Sequence, residues 1–347
     1  MIVNFEKRAY LRGSDSNQEK RKIYLRDPNM VDASTSHLRI PNTIEMPLPK
    51  QEDTAKHLGN SLLIGIATVP FLLMGGYLGA VRGAEKKFFV DAALKSRSHF
   101  RPIIKELEGK ISKVTIKTED KIDLKCWDIN PHGFEKYVLV CHGNSQNLNE
   151  CQEIYSEIHK KGYGVMALEY RGYAKNPGTI TEAGLYKDGE AAIKYLRDKG
   201  IKDKKIGLFG YSLGGAVATD LASKNDFGFV VLMSTFTNAK ELSKNAVNYL
   251  DLNLPKFVKK GVDSFPDMLI PLGNSYESDK KISKIKCPIT FIHSRDDSAI
   301  PISVAKKLSD KATGTSQKRF ITLSSGNHWF DDSKFAAISD AIEKFSL

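Results

Sequence analysis

The sequence contains little cysteine, and its cysteines follow no metal-binding or disulfide pattern. Four cysteines are spread over 347 residues without a CxxC pair, so the spacing typical of a zinc site or a disulfide framework is absent. Cys141 and Cys287 stand in or beside apolar runs, which predicts buried free thiols. The motifs therefore predict neither a bound metal nor a cofactor. A chain of this length can bury a sizeable core without disulfides.

The sequence also lacks a compact run of arginine and lysine interleaved with aromatic residues. Its 52 Lys and Arg against 41 Asp and Glu give a formal net charge of +11, which solvated lysines on helix faces explain most simply. Attraction to an anionic membrane surface is the alternative interpretation. Nucleic acid is not predicted as a partner, because the basic residues form no patch of the kind that binds it.

Charge is missing altogether from Asn60 to Val81, a run of 22 residues. Such a run is long enough to cross the hydrocarbon core of a membrane as a helix. A long polar stretch precedes it, which argues against a cleavable signal peptide. A buried helix, or an interfacial hairpin broken at Pro70, is the alternative. We expect residues 59–83 to form a hydrophobic helix that anchors or spans a membrane.

Two features of this segment bear on its partners and its orientation. Gly75, Gly79 and Gly83 recur every four residues, a spacing that lets two helices approach closely, so a homodimer is one hypothesis. More lysine and arginine directly follow the segment than directly precede it, which predicts a cytoplasmic C-terminal domain. The expected localisation is therefore membrane-associated, with the membrane as a partner.

The composition divides the chain into four parts. Residues 1–58 are polar and rich in proline, which predicts an extended, flexible segment. The hydrophobic segment at 59–83 follows, and then a helical linker at 84–110. Residues 111–347 form the folded domain, with an insertion at about 237–286.

The folded domain begins with two runs of alternating polarity on either side of Glu119 and Asp120, which predicts a hairpin. Six short apolar runs follow, with helix-length stretches between them, and this rhythm predicts a mostly parallel sheet with helices on both faces. The six runs are Tyr137–Cys141, Gly164–Glu169, Ile206–Gly210, Phe229–Met233, Ile289–His293 and Arg319–Leu323. The insertion at 237–286 follows the fourth of them, where it would form a helical cap over the crevice at the strand ends.

The stretch GYSLGG places Ser212 between a buried strand and an alanine-rich helix. A sharp strand-to-helix turn forces its central residue into strained dihedrals, and small residues two positions before and after it prevent clashes. Gly210 and Gly214 occupy those two positions. The turn would present the Ser212 hydroxyl at a helix N-terminus, where partial positive charge favours a developing anion. The pattern predicts a nucleophile elbow.

A serine nucleophile needs a general base, and the base needs an orienting carboxylate. In this architecture the chain order is serine, acid, histidine. Asp296 and Asp297 are both candidates for the acid, and Asp297 is preferred because of its position four residues after His293. His328 lies in a Gly-Asn loop after the last strand and is the predicted base.

Acyl transfer also needs donors for the tetrahedral oxyanion. The backbone N–H of Leu213, which follows the nucleophile, is one predicted donor, and the backbone N–H of Asn144 is the other. Gly143 would let the preceding loop turn sharply. His142 stands in that same loop, ahead of the serine in the chain, so a role in holding the loop is favoured over a role as base.

These motifs together resemble the α/β-hydrolase superfamily. CHGNSQN, GYSLGG, MSTFT and IKCPITFIHSRDDSAIP most resemble the membrane-anchored α/β-hydrolase-domain serine hydrolases, which include protein depalmitoylases and related bacterial hydrolases. The resemblance covers about residues 110–345. It implies an α/β-hydrolase fold with Ser212, Asp297 and His328 as a triad, and with Asn144 and Leu213 as oxyanion donors. Glu169 stands where that family often has aspartate.

The leading hypothesis is a serine hydrolase that forms an acyl-enzyme on Ser212. It would cleave carboxylic esters or thioesters, with a lipid or an acylated protein as the favoured substrate. An aminopeptidase-like hydrolase is the alternative within the same fold. A non-catalytic α/β-hydrolase scaffold or binding protein is the alternative of another class, and the complete Ser-Asp-His order argues against it.

Overall fold

The computed structural model describes residues 101–241 and 275–345. The predicted polar segment and hydrophobic helix lie outside the described residues, as do residues 84–100 of the predicted linker. Within the described ranges, no helix has the length and apolarity needed to cross a membrane. Residues 101–110 hold one 3-10 turn, Lys105–Leu107, rather than a continuous helix, because Ile104 before the turn is extended and Gly109 after it has a positive φ of 69°.

An eight-stranded sheet forms the centre of the described domain, in the order β1-β2-β4-β3-β5-β6-β7-β8. The first two strands pair antiparallel through the predicted hairpin, and β2 pairs antiparallel with β4. All the other pairs are parallel. The strands are β1 (Ile111–Lys117), β2 (Asp123–Ile129), β3 (Tyr137–Cys141), β4 (Gly164–Leu168), β5 (Ile206–Tyr211), β6 (Phe229–Met233), β7 (Ile289–Ser294) and β8 (Lys318–Leu323).

Helices cover both faces of this sheet. They are α1 (Gln152–Lys160), α2 (Glu182–Asp198), α3 (Leu213–Lys224), α4 (Ser278–Lys281), α5 (Ile302–Lys311) and α6 (Asp332–Lys344). The apolar side chains of α2, α3 and α5 join one core cluster, and those of α1 and α6 join the cluster on the opposite face. The mostly parallel sheet with helices on both faces is thus confirmed.

The central strands contribute to both clusters because successive side chains of a strand point to opposite faces. In β3, Leu139 and Cys141 pack in one cluster, and Val138 and Val140 pack in the other. Burial on both sides explains why these strands are continuous apolar runs rather than alternating ones. The parallel pairing from β3 to β8 places the carboxyl ends of β3, β5, β7 and β8 at one edge of the sheet.

The predicted insertion leaves and re-enters the domain at neighbouring points. The Ala239 N–H donates to Ser275 O at 2.9 Å, and the Asp279 N–H donates to Thr237 O at 3.0 Å. These bonds close the base of the insertion after β6. Residues 242–274, the middle of the predicted cap, lie outside the described residues.

Candidate active site

Ser212 lies in the turn between β5 and α3, and its backbone is strained. It has φ 52° and ψ −114°, a conformation that residues with a side chain rarely adopt. Two bonds hold the turn against the chain at the end of β6. The Ser212 N–H donates to Met233 O at 2.9 Å, and Thr235 Oγ1 donates to Ser212 O at 2.8 Å. The strained strand-to-helix turn predicted for GYSLGG is present.

Gly210 and Gly214 leave the space that this turn requires. A Cβ atom on Gly214 would lie 2.0 Å from Cys141 O, and one on Gly210 would lie 2.5 Å from Gly214 O. Both contacts are with backbone atoms, which cannot move aside as the end of a flexible side chain can. Glycine at these two positions therefore lets α3 begin directly against β3 and β5.

The side chains of Ser212, His328 and Asp297 form one hydrogen-bonded chain. His328 Nε2 lies 3.1 Å from Ser212 Oγ, and His328 Nδ1 lies 2.9 Å from Asp297 Oδ2 and 3.1 Å from Oδ1. Because the carboxylate accepts at Nδ1, that nitrogen carries the ring proton and Nε2 is left to accept the serine proton. The fold brings Ser212 and His328 together across 116 positions of sequence.

Of the two adjacent aspartates, Asp297 is the one in contact with His328. It is buried, and its Oδ1 accepts two N–H groups of its own loop, at 3.0 and 2.8 Å. Asp296 is exposed and accepts the N–H of Asn327 at 2.9 Å. The structure therefore places Asp297, the preferred candidate, in contact with the predicted base His328. Asp296 instead contacts Asn327, the residue before that base.

His293, which sequence reasoning did not single out as a site residue, also contacts the acid. Its Nε2 lies 3.3 Å from Asp297 Oδ2 and donates to Ile300 O at 2.8 Å. Burial alone would raise the pKa of Asp297, but hydrogen bonds from His293, from His328 and from the backbone hold it well below its usual range. Asp297 is therefore a carboxylate at neutral pH. The sequence signal was the position of His293 four residues before it.

The two predicted oxyanion donors belong to the loop after β3 and to the start of α3. Leu213 is the first residue of α3, where an N–H has no partner within the helix. Across residues 101–241 and 275–345, neither the Leu213 N–H nor the Asn144 N–H donates a hydrogen bond. The Asn144 side chain is held by Tyr173, whose Oη donates to Asn144 Oδ1 at 2.5 Å. Their role as oxyanion donors remains a prediction.

Gly143 allows the loop after β3 to pass close to the residue that precedes the nucleophile. A Cβ atom on Gly143 would lie 2.7 Å from the ring of Tyr211. The Gly143 N–H donates to Gln146 Oε1 at 2.9 Å. The loop is thus closed on itself by a side chain three residues further on, with Asn144 at its turn.

His142 is buried and braces this loop against the loop after β4. Its Nε2 lies 3.0 Å from Glu169 Oε1, and its Nδ1 lies 2.8 Å from Gly143 O. The other oxygen of Glu169 accepts the Leu148 N–H at 3.1 Å. Both ring nitrogens of His142 face acceptors, so neither is placed to take a proton from serine. The geometry is consistent with the loop-holding role favoured for His142.

The loop that carries His328 is held by residues from other elements. Tyr211 Oη donates to His328 O at 2.7 Å. Asn327 Oδ1 accepts the His328 N–H at 2.8 Å and the Ser298 N–H at 3.0 Å, which ties the loop of the base to the loop of the acid. Only the Gly-Asn pair of this arrangement was visible as a signal in the sequence.

All four cysteines are buried free thiols, as predicted for Cys141 and Cys287. Burial raises the pKa of Cys141 to about 12 and that of Cys287 to about 11. Thiols that stay protonated are poor nucleophiles and poor metal ligands. No group of three or more histidine, cysteine and acidic side chains suited to a metal occurs in the described parts of the chain.

A groove of about 830 Å³ lies beside β1 and β2, at the outer side of the loops after β3 and β4. Trp127, Leu148 and Glu169 are among the residues that line it. None of its lining residues belongs to the hydrogen-bonded chain of Ser212. The groove is therefore distinct from the place where the candidate nucleophile and base meet.

The comparisons with known proteins agree with this fold. A family model described as the alpha/beta hydrolase fold matches residues 136–266, a range that contains Ser212. An uncharacterised protein of Mycobacterium tuberculosis (strain H37Rv) is 31% identical over 219 residues, which is 62% of this chain and 71% of that protein. The chain belongs to the α/β-hydrolase superfamily.

Two characterised proteins are also similar. Lysophosphatidylserine lipase ABHD12 of Danio rerio is 29% identical over 183 residues, which is 50% of this chain and 47% of the lipase. The match thus spans about half the length of that lipase. The solved structure of esterase Pf2001 of Pyrococcus furiosus has a TM-score of 0.60 at 21% identity, over 72% of this chain and 95% of the esterase. At that identity the likeness shows the fold.

Proposed function

We propose that this protein is a serine hydrolase that cleaves carboxylic esters or thioesters through an acyl-enzyme on Ser212. The observation that carries the proposal is the continuous chain from Ser212 Oγ through His328 to Asp297, with distances of 3.1 and 2.9 Å. It starts at the N-terminus of α3, where the field of the helix favours a developing negative charge. This arrangement supplies a nucleophile, a base and an orienting carboxylate.

In the acylation step, Ser212 Oγ attacks the substrate carbonyl carbon while its proton passes to His328 Nε2. The carbonyl oxygen becomes an oxyanion, which the N–H groups of Leu213 and Asn144 are proposed to bind. The tetrahedral intermediate then expels the alcohol or thiol, and His328 returns the proton to that leaving group. An ester between Ser212 and the acyl group remains on the enzyme.

In the deacylation step, water takes the place of the leaving group. His328 Nε2 accepts a proton from the water as its oxygen attacks the acyl carbon, and Ser212 leaves with that proton. Asp297 stays ionised throughout, because its hydrogen bonds hold its pKa well below the usual range despite burial. Its charge stabilises the imidazolium that forms twice in each cycle.

An apolar acyl group is the proposed substrate feature. The similarity to a lysophosphatidylserine lipase supports an acyl lipid, and the charge-free run from Asn60 to Val81 supports a location at a membrane, where such lipids and acylated proteins reside. Membrane association is tested by carbonate extraction of the full chain. A variant with Leu72→Arg and Leu73→Arg should leave the membrane fraction, and equal retention of both proteins would contradict the anchor.

The reaction is tested by rapid mixing of the protein with p-nitrophenyl esters of increasing acyl length. We expect a burst of one p-nitrophenol per protein before steady turnover, because acyl-enzyme accumulation gives this signature. Ser212→Ala should abolish both the burst and the turnover. Preference for long chains supports a lipid or acylated-protein substrate, whereas preference for short chains contradicts it.

Aminoacyl anilides, assayed beside the esters, separate the alternative functions. Aminoacyl anilides hydrolysed faster than every ester would favour the aminopeptidase-like alternative. Esters and anilides both left intact by a folded protein would favour a non-catalytic scaffold. Either result would overturn the ester-hydrolase proposal.

A further inference from the structure

Lys334 lies in the first turn of α6 and is fully buried. Its ammonium group donates hydrogen bonds to three backbone carbonyls of the loop that carries His328. Nζ lies 3.0 Å from Gly326 O and 2.6 Å from Asn327 O, and it also donates to Trp329 O. These carbonyls lie directly on both sides of His328 along the chain. The reaction steps derived above do not use this lysine.

The number of acceptors fixes the state of the amine. An ammonium group has three hydrogens and a neutral amine has two, so three carbonyl partners require the charged form. Tyr211 Oη donates to the remaining carbonyl, that of His328, at 2.7 Å. All four consecutive carbonyls from 326 to 329 are therefore satisfied, three of them by one side chain.

The position of Lys334 within α6 argues against an ordinary surface lysine. A cation in the first turn of a helix opposes the helix dipole, and burial lowers the pKa of Lys334. The nearby negative charges are those of Asp297, of Asp331, which is the N-cap of α6, and of Asp296, and they act in the opposite direction on this pKa. Burying a cation at such a position costs free energy unless its partners compensate for the lost hydration. The hydrogen-bond partners of Lys334 are carbonyls of the loop.

The loop is shaped to receive this ammonium. Gly326 has φ 115° and Asn327 has φ 48°, two consecutive residues in the region that glycine favours. Asn327 Oδ1 accepts the His328 N–H at 2.8 Å. His328 is thus fixed at its N–H by Asn327, at its carbonyl by Tyr211, and through its neighbours by Lys334.

We propose that Lys334 is a positioning residue, whose ammonium holds the loop so that His328 Nε2 stays within hydrogen-bond distance of Ser212 Oγ. This inference rests on the proposed function of His328 as the base. Lys334 itself does not touch the substrate or the reacting atoms. Its effect is transmitted through the carbonyls of Gly326, Asn327 and Trp329.

The test is Lys334→Met, which keeps the length and shape of the side chain but removes the ammonium. We expect kcat for ester hydrolysis to fall about 10- to 100-fold, because a displacement of about 1 Å at a reacting group costs on the order of 100-fold. KM should stay within about twofold, since the loop takes part in the chemical step rather than in ground-state binding. Lys318→Met is a control for the loss of a lysine away from the site, because the exposed Lys318, the first residue of β8, donates from Nζ to a single carbonyl, Ser309 O, at 2.7 Å.

Lys318→Met should leave both kcat and KM unchanged. The assays are made at a temperature where circular dichroism shows each variant fully folded. Unchanged kcat in folded Lys334→Met would overturn the proposal. If Lys334→Met does not fold, Lys334→Gln retains part of the donor capacity and should give a smaller fall in kcat, and wild-type kcat in that variant would also overturn it.

A second measurement separates this inference from the proposed function. We expect the proton between His328 Nδ1 and Asp297 to give a far-downfield proton NMR resonance that needs no substrate. We expect Lys334→Met to broaden or shift it, and Lys318→Met to leave it in place. An unshifted resonance in Lys334→Met contradicts the positioning role even if the protein hydrolyses no ester. A perturbed resonance supports the role whichever substrate is cleaved.

Discussion

The nucleophile turn and the base loop are built by opposite means. The turn at Ser212 depends on the absence of a side chain at Gly214, because a Cβ there would lie 2.0 Å from Cys141 O. The loop at His328 depends on side chains, since those of Lys334, Tyr211 and Asn327 form hydrogen bonds with its backbone groups. One half of the site is fixed by close backbone packing, and the other by buried hydrogen bonds.

Because their supports differ, the nucleophile turn and the base loop should respond differently to substitution. Close backbone packing has no room for an added atom, so a single methyl group in the turn forces the backbone to move. A loop held by several side chains loses one contact at a time, so it should weaken in steps. The predictions below set these two kinds of damage against each other.

The largest effect is expected from Asp297→Asn. An asparagine cannot stabilise the imidazolium of His328, and its amide can donate to Nδ1 and impose the wrong tautomer. We expect kcat to fall about 10⁴-fold, measured by ester hydrolysis. Asp296→Asn is the matched control, because Asp296 accepts only the Asn327 N–H among the residues described here, and it should change kcat less than tenfold. Equal losses of kcat in the two variants would contradict the role of Asp297 as the carboxylate that orients His328.

The Asp297→Asn variant also tests the pKa of Asp297 through stability. The folded-state pKa lies below the unfolded value, so the stabilisation is complete above about pH 4, the unfolded value, and is lost as the pH falls through the folded value. The unfolding free energy of wild type relative to Asp297→Asn should therefore be constant at neutral pH and shrink in acid. Urea titrations across the pH range measure it. A free-energy difference that grows as the pH falls would contradict the lowered pKa of Asp297.

The next effect concerns Gly214→Ala. The added Cβ would meet the backbone at Cys141, so we expect a loss of about 3 kcal/mol in the free energy of unfolding. Gly189→Ala in α2 is the control, because the three atoms nearest to its Cβ would be side-chain atoms of Leu221 and Val217, at 3.0 to 3.4 Å, rather than backbone. That variant should stay within about 1 kcal/mol of wild type. Similar urea midpoints for the two would show that the turn is not sterically constrained.

A smaller effect is expected from Tyr211→Phe in the base loop. The change removes the donor to His328 O and should lower the free energy of unfolding by about 1 kcal/mol, with a several-fold fall in kcat. Tyr163→Phe removes a longer tyrosine-to-carbonyl bond, from Tyr163 Oη to Phe345 O at 3.3 Å, away from the site. It should cost no more stability than Tyr211→Phe and leave kcat unchanged. A fall in kcat with both variants would mean that stability alone sets the rate.

The smallest effect compares Ser212→Gly with Ser212→Ala. Both variants should be inactive, but glycine accepts φ 52° without the strain that alanine keeps. Strain of this kind is on the order of 1–3 kcal/mol, and the greater freedom of glycine in the unfolded chain offsets part of it. The glycine variant should therefore be more stable by about 1 kcal/mol in thermal unfolding. An alanine variant of equal or greater stability would show that the turn is relaxed.

The nucleophile turn could be predicted from a short stretch of sequence, and the base loop could not. Gly210, Ser212 and Gly214 lie within five positions, so the steric demand of the turn is written in neighbouring residues. The central strands could also be predicted from the sequence, because burial on both faces makes them continuous apolar runs.

Two supports of the base loop come from residues that no sequence pattern marks, although Lys334 lies only 5 to 8 positions from the carbonyls that it contacts. Lys334 is one of 52 basic residues, and nothing near it in the sequence marks it as buried. Tyr211 directly follows the predicted strand Ile206–Gly210, but the partner of its hydroxyl lies in a loop 117 positions away. Such contacts follow from the folded path of the chain rather than from a local pattern.

The most direct test of the central claim is to treat the folded protein with a fluorophosphonate and locate the label by peptide mass spectrometry. The account predicts a single label on the peptide that contains Ser212 and no label in Ser212→Ala. A folded wild-type protein that stays unlabelled, or that carries the label on another serine, would contradict the assignment of Ser212 as an activated nucleophile.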